Sequence, residues 1–236
     1  MGICTISKFA IPIHFIELLH KNSSHLDNLN SKKMKPLVAI ILALFSVELC
    51  AQNTKPQFDG HTWQAPYLLP TPKDWTIERF LIPISFAPQI PYKGVEDIRF
   101  TPGWGKVTSE EYWSYAFLWY LDGNIKMDVK KLNTNLKAYY TGLVKSNGRT
   151  IPKIIPVVTS FKEAKKDNDD LQTYVGTIEM TDYMGQIPIT LNCKVHLKSC
   201  PGENKTLIFY ELSPKPLSHN IWKSLDKLWI DFKCKK

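Results

Sequence analysis

"GVEDIRFTPGWGKVTSEEYWSYAFLWYLDG", Gly94 to Gly123, is the stretch on which the fold turns. It opens on a short strand pattern, GVEDIRF, followed by a Pro-Gly turn, TPGWG. Thr108-Ser109-Glu110-Glu111 then has the form of a capping box, in which the Thr hydroxyl takes one free amide and Glu111 reaches back. Both acids favour the positive end of a helix dipole. Trp113, Phe117, Tyr120 and Leu121 share one helical stripe, with Tyr112, Ala116 and Trp119 beside it. The spacing predicts a helix from Thr108 to Leu121, ended by Asp122-Gly123. It is apolar over enough of its circumference to be buried on two sides.

Two more helices are expected downstream. Asp128 is a good N-cap for a helix reaching Lys145, with Val129, Leu132, Leu136, Tyr139, Tyr140 and Leu143 on its apolar face. "SHNIWKSLDKLWIDF" (218–232) carries Ile221, Leu225, Leu228 and Phe232 on one face, and His219 is placed to help cap it. Upstream, "WTIERFLIPISFAP" (75–88) is a strand with a proline-limited end. "IPVVTSFKEA", "LQTYVGTIEM", "QIPITLNCKVHL" and "KTLIFYEL" are strands with short connections, which implies an antiparallel meander. In the third of these, Ile187, Ile189, Leu191, Cys193, Val195 and Leu197 alternate with polar residues, as in a half-buried strand. His196 falls on the polar side, between Lys194 and Lys198, and "KKDNDD" (165–170) is a solvated charge cluster in a turn. The fold class expected is α+β, a mainly antiparallel sheet with three helices packed against it, in a single domain over residues 75–236. An extended arm, residues 52–74, precedes it with Trp63 and Tyr67 spaced along it.

The chain start points to export. Lys32, Lys33 and Lys35 flank an unbroken apolar run from Leu37 to Phe45, and Ala51 closes a short segment after it. That layout is a secretory signal peptide over residues 34–51, with an apolar run shorter than a bilayer span requires. Met34 stands directly before it, so residues 1–33 read as an over-extended gene start. Cleavage after Ala51 leaves Gln52 first. A lipid anchor on Cys50 is the rival reading of the same segment, although Leu49 is larger than the residue normally found before a lipidated cysteine. The expected location is the periplasm or the outside of the cell, with no transmembrane helix in the mature chain.

Three cysteines follow Ala51. Cys193 lies on the buried side of its strand, where a thiol acts as a small hydrophobe. Cys200 sits past the end of that strand and Cys234 closes the last helix, so a Cys200–Cys234 disulfide is expected in an oxidising compartment. The net charge of +8 is scattered. No Lys/Arg block is interleaved with aromatics in the manner of a nucleic-acid groove, so no nucleic-acid partner is expected.

The motifs that announce common chemistries are missing. There is no HExxH, no CxxC, no P-loop, no nucleotide-binding glycine fingerprint and no GxSxG elbow, and neither a cofactor nor a metal is expected. The remaining candidates cluster near the opening stretch. Glu96 and Asp97 are adjacent carboxylates, which in a strand point to opposite faces. Asp97 and Arg99 are two apart, on one face, and spaced for an ion pair. Trp104 is presented by the TPGWG turn as an aromatic contact for a ligand. Glu96, Asp97, Arg99 and Trp104 are the candidate ligand-binding residues.

The closing piece, "KTLIFYELSPKPLSHNIWKSLDKLWIDFKC" (205–234), resembles the last strand and helix of PsbP-like domains, and the chain as a whole resembles exported proteins of Gram-negative bacteria. The PsbP-like resemblance covers about thirty residues and implies an antiparallel sheet between helical layers. The function expected is a non-catalytic exported protein that binds a ligand or a protein partner in the cell envelope. The alternative is an exported hydrolase of glycan or lipid, using Glu96 or Asp97.

Overall fold

The computed structural model describes residues 58–148, 150–167 and 169–235 of the chain. The stretches expected to be an over-extended start and a signal peptide, together with Cys50 and the first residues of the expected arm, lie outside the described residues. The elements are β1 (Tyr67–Leu68), β2 (Thr76–Ile82), β3 (Gly94–Phe100), β4 (Tyr115–Asp122), α1 (Val129–Asn147), β5 (Val158–Ala164), β6 (Gln172–Thr181), β7 (Pro188–Lys198), β8 (Lys205–Ser213), α2 (Ile221–Ile230) and β9 (Lys233–Cys234).

Seven strands form one sheet in the order β2-β3-β4-β8-β7-β6-β5, and every neighbouring pair is antiparallel. The chain lays down β2-β3-β4 as one meander and carries α1 across to the far edge. It returns through β5-β6-β7-β8 as a second meander, and β4 pairs with β8 to join the two, Phe117 opposite Tyr210. A separate two-stranded ribbon pairs β1 with β9, Tyr67 opposite Cys234.

The sheet is covered on both faces. On one, α1 packs Leu132, Leu136, Tyr139, Tyr140 and Val144 against Phe117, Trp119, Val195, Ile208 and Tyr210. On the other, α2 packs Trp222, Leu225, Leu228 and Trp229 against Ala116, Leu118, Leu207 and Phe209. Asp128 caps α1 as expected, its carboxylate accepting from the Lys131 amide at 2.8 Å. His219 Nδ1 accepts from the Ile221 amide at the start of α2, 3.2 Å away.

Two helices stand among the described residues, not three, and the correction falls on the opening stretch. Residues 102–113 form successive turns, and 115–122 are the strand β4. The apolar run that covered most of a helical circumference is the signature of a strand buried on both faces. Tyr115, Phe117, Trp119 and Leu121 point to the α1 face, while Ala116, Leu118 and Tyr120 point to the α2 face. Its aromatics also suit a pleated surface better than a helix. The capping-box residues do cap, but they cap turns. Ser109 Oγ accepts from the Glu111 amide, and Glu111 Oε2 accepts from the Gly103 amide at 2.8 Å.

Covering both faces also corrects the reading of β7. Its polar side lies beneath α2, so His196 is 2 % exposed instead of solvated. Asp170, read as part of a solvated cluster, is likewise buried and accepts from Trp229 Nε1 at 2.8 Å and from Thr173 Oγ1 at 2.8 Å.

Candidate functional site

A seven-stranded sheet is about 30 Å wide and one helix covers roughly 10 Å of it. Helix α1 packs over β5 and β6, which leaves the β2–β3 end of that face without a helix. The β2–β3 connection, the turns of 101–114 and the β6–β7 turn close over this end. Between them lies a cavity of about 430 Å³. Its floor is Ile98, Phe100 and Tyr115 from the sheet, and its walls include Phe86, Trp104, Trp113, Tyr183 and the C-terminal half of α1.

Several local devices hold this shape. Phe100 and Trp104 stack with centroids 4.3 Å apart, which fixes the TPGWG turn against the sheet. Trp113 has a φ of 54°, a left-handed backbone that a bulky residue adopts only under constraint. The constraint is visible. Its amide donates to the Trp104 carbonyl at 2.9 Å, and its indole Nε1 donates to buried Asp182 at 2.9 Å. Asp182 also accepts from the Tyr112 hydroxyl and the Met184 amide, so one carboxylate ties the 101–114 turns to the β6–β7 turn. Gly142, in the middle of α1, has a similar role on the opposite wall. A Cβ there would lie 1.9 Å from the Phe86 carbonyl oxygen, so the glycine lets the Phe86 segment cross the helix at close range.

The sequence-derived candidates divide between the two faces of the sheet. Trp104 lines the cavity, half-buried. Glu96 lies on the same face but is fully buried behind it, accepting from Trp119 Nε1 at 2.7 Å and from the Tyr139 hydroxyl at 2.8 Å. Burial pushes its carboxyl up to about 7, against the opposing pull of those two hydrogen bonds. Asp97 and Arg99 face the other way, toward α2, and form a buried ion pair. Asp97 also accepts from Arg79 Nε at 2.9 Å and from the Tyr67 hydroxyl at 3.1 Å. Arg99 donates to the Leu69 and Pro70 carbonyls at 3.1 and 3.0 Å. The pair is therefore a clamp that fastens the segment before β2 to the sheet. Cys200 and Cys234 stand at disulfide distance, with Cα atoms 5.6 Å apart, and join the end of β7 to β9.

Sequence reasoning missed most of the cavity. Glu78, Phe80, Phe86, Trp113 and Tyr183 line it and come from four separate segments. Trp104 in the TPGWG turn was the one available signal, since Trp113 falls in the stretch whose spacing predicts a helix. Nothing in the "TDYMG" turn marked Tyr183 or Asp182. Chemically, the cavity offers aromatic surface, the hydroxyls of Ser85 and Ser146, the Asn147 amide and one carboxylate, Glu78.

A second polar cluster lies between the sheet and α2. His196 Nδ1 is 2.7 Å from Asp170 Oδ2, and Nε2 faces Glu211 Oε1 at 3.5 Å. Burial disfavours the charged imidazole, but the two carboxylates outweigh it and raise His196 to about 9. Burial raises Glu211 to about 7, with His196 opposing. The cluster is closed to solvent and holds the sheet to α2.

Among the described residues no His/Cys/Asp/Glu group is placed to hold a metal, and no helix is long and apolar enough to cross a membrane. The chain matches no protein-family model, no curated protein and no solved structure.

Proposed function

We propose that this chain is an exported protein that binds a small ligand in the aromatic cavity at the β2–β3 end of the sheet. The observation that carries the proposal is the cavity itself. It is lined by aromatic rings from separate segments, and it is held open by a left-handed Trp113 anchored on a buried carboxylate. Concave, mainly apolar sites with a few polar groups are where proteins hold small molecules, and local backbone strain concentrates at such sites. Export to the envelope of a Gram-negative cell fits the basic, apolar and small-residue order of residues 32–51 and the disulfide pair.

Binding is favoured over hydrolysis by the placement of the carboxylates. Glu96 and Asp97 lie on opposite faces of the sheet and both are fully buried. Glu78 is the single acid lining the cavity, and no histidine or cysteine joins it there.

The test is a thermal-shift panel of glycans, lipids and small metabolites on the disulfide-bonded chain, repeated on Trp104→Ala. A ligand class that raises the melting temperature of the wild type and not of the variant supports the cavity. A class that stabilises both equally places binding elsewhere. A flat panel, together with a crosslinked protein partner in whole cells, replaces the ligand with a protein.

A further inference from the structure

Resting on that reading, we infer that the cavity recognises a small organic ammonium ion, with the aromatic walls taking the cation and Glu78 the charge. Four observations converge. The walls are aromatic, and buried Trp113 holds half-buried Trp104 and Tyr183 at steep angles on either side of it, 83° and 74°. A cation is drawn to the negative face of such rings, most strongly to tryptophan.

Charge complementarity is the second. The chain carries 30 Lys and Arg against 22 Asp and Glu, yet no basic residue lines the cavity, and its single acidic side chain is exposed Glu78. Among the described residues Glu78 has neither an ion-pair partner nor a hydrogen-bond partner. Arg79 beside it is turned to the other face, onto Asp97 and the Gly60 carbonyl. An anion would meet this carboxylate and no compensating base.

The third is where the protein spends its own cations. Arg79 lies over Trp63, Lys194 over Trp222, Lys198 over Trp229 and Lys205 over Tyr120, all on the α2 face. Among the described residues no Lys or Arg covers a ring of the cavity. The partly exposed rings of the lining, Trp104, Phe86 and Tyr183, are left free of the chain's own cations.

The fourth lies beneath the floor. Tyr139 lines the cavity and donates to Glu96, so a second carboxyl sits one side chain behind the wall. Burial holds this carboxyl near the middle of its titration at neutral pH, so it adds negative potential without direct contact only in part, and more as the pH rises above about 7.

The test is calorimetric titration of the full chain with choline and with its neutral carbon isostere, dimethylbutanol, at low and at high salt. The expected result is that choline binds about tenfold tighter than the isostere, the difference a cation–π site makes. Glu78→Gln is expected to weaken choline about threefold at low salt, with little effect at high salt, and to leave the isostere unchanged. Because Glu78 is exposed, this variant does not threaten the fold. Phosphatidylcholine vesicles that compete with choline assign the cation to a lipid headgroup, and vesicles that do not compete assign it to a free amine. Equal affinity for choline and isostere overturns the cation while leaving an apolar binding site in place. Binding of neither probe overturns the ammonium inference, and the ligand panel with Trp104→Ala then decides the binding reading separately.

Discussion

Glu96 shows how one buried group converts position into a measurable property. Its folded value of about 7 lies above the ordinary range near 4.5, so the folded state holds a proton that the unfolded state has released. Its contribution is intact below about pH 4.5 and is lost as the pH rises through 7. Glu96→Gln keeps both partners, since the amide oxygen accepts from Trp119 and the amide nitrogen donates to Tyr139. This variant is expected to match the wild type near pH 5 and to exceed it at pH 8 by on the order of 3 kcal/mol in denaturant unfolding. Equal pH dependence in the two proteins would contradict the assignment. Glu96→Ala leaves a buried indole N–H and a buried phenol without partners and is expected to cost about 2–4 kcal/mol at either pH.

At the scale of elements, Gly142 and the Asp97–Arg99 clamp make opposite kinds of prediction. Glycine inside a helix normally costs about 1 kcal/mol relative to alanine. At Gly142 the sign reverses, because the added methyl would meet the Phe86 carbonyl. Gly142→Ala is expected to destabilise by about 1–3 kcal/mol, through overpacking, and to weaken ligand binding by moving Phe86. A stabilised variant would show that the segment crosses the helix less closely. Arg99→Ala removes one of the two arginine partners of fully buried Asp97, leaving Arg79, and two carbonyl contacts to residues 69–70. A loss of about 1–3 kcal/mol is expected, with new protease cuts confined to residues 58–75. On the same face, the Cys200–Cys234 bridge closes a loop with a sequence separation of 34. Reduction is expected to lower stability by about 3–4 kcal/mol on the loop-entropy model, with Cys234→Ser behaving like the reduced protein. Alkylation that finds Cys200 free in oxidised protein would remove the bridge.

Across the whole molecule, three buried groups tilt stability in one direction. Glu96 and Glu211 are raised to about 7 and His196 to about 9. Each makes the folded state bind more protons than the unfolded chain, the acids between about pH 4.5 and 7 and the imidazole between about 6.5 and 9. Unfolding free energy is therefore expected to fall steadily from pH 5 to pH 9. The groups facing His196 are Asp170 and Glu211, with Lys194 and Asp226 next in the cluster. A maximum in stability near pH 8 would show that the unfolded chain, and not this cluster, sets the proton balance.

The same scale separates what the sequence determined by itself from what the tertiary structure decided. Local chemistry was sufficient for the Asp128 cap and the apolar face of α1, for the strand GVEDIRF, for the second meander and for the opposed directions of Glu96 and Asp97. Each depends on periodicity and on short-range hydrogen bonds, which a chain carries in its residue order. Tyr115–Leu121 was undecidable at that level. Seven consecutive apolar residues satisfy a helix buried on two sides and a strand buried on two sides equally well, and only the partners β3 and β8 break the tie. His196 and Asp170 read as solvated because nothing local announces that α2 will lie across them. The cavity is the extreme case. Its walls come from residues 78 to 183, and it exists because a single helix is too narrow to cover a seven-stranded sheet.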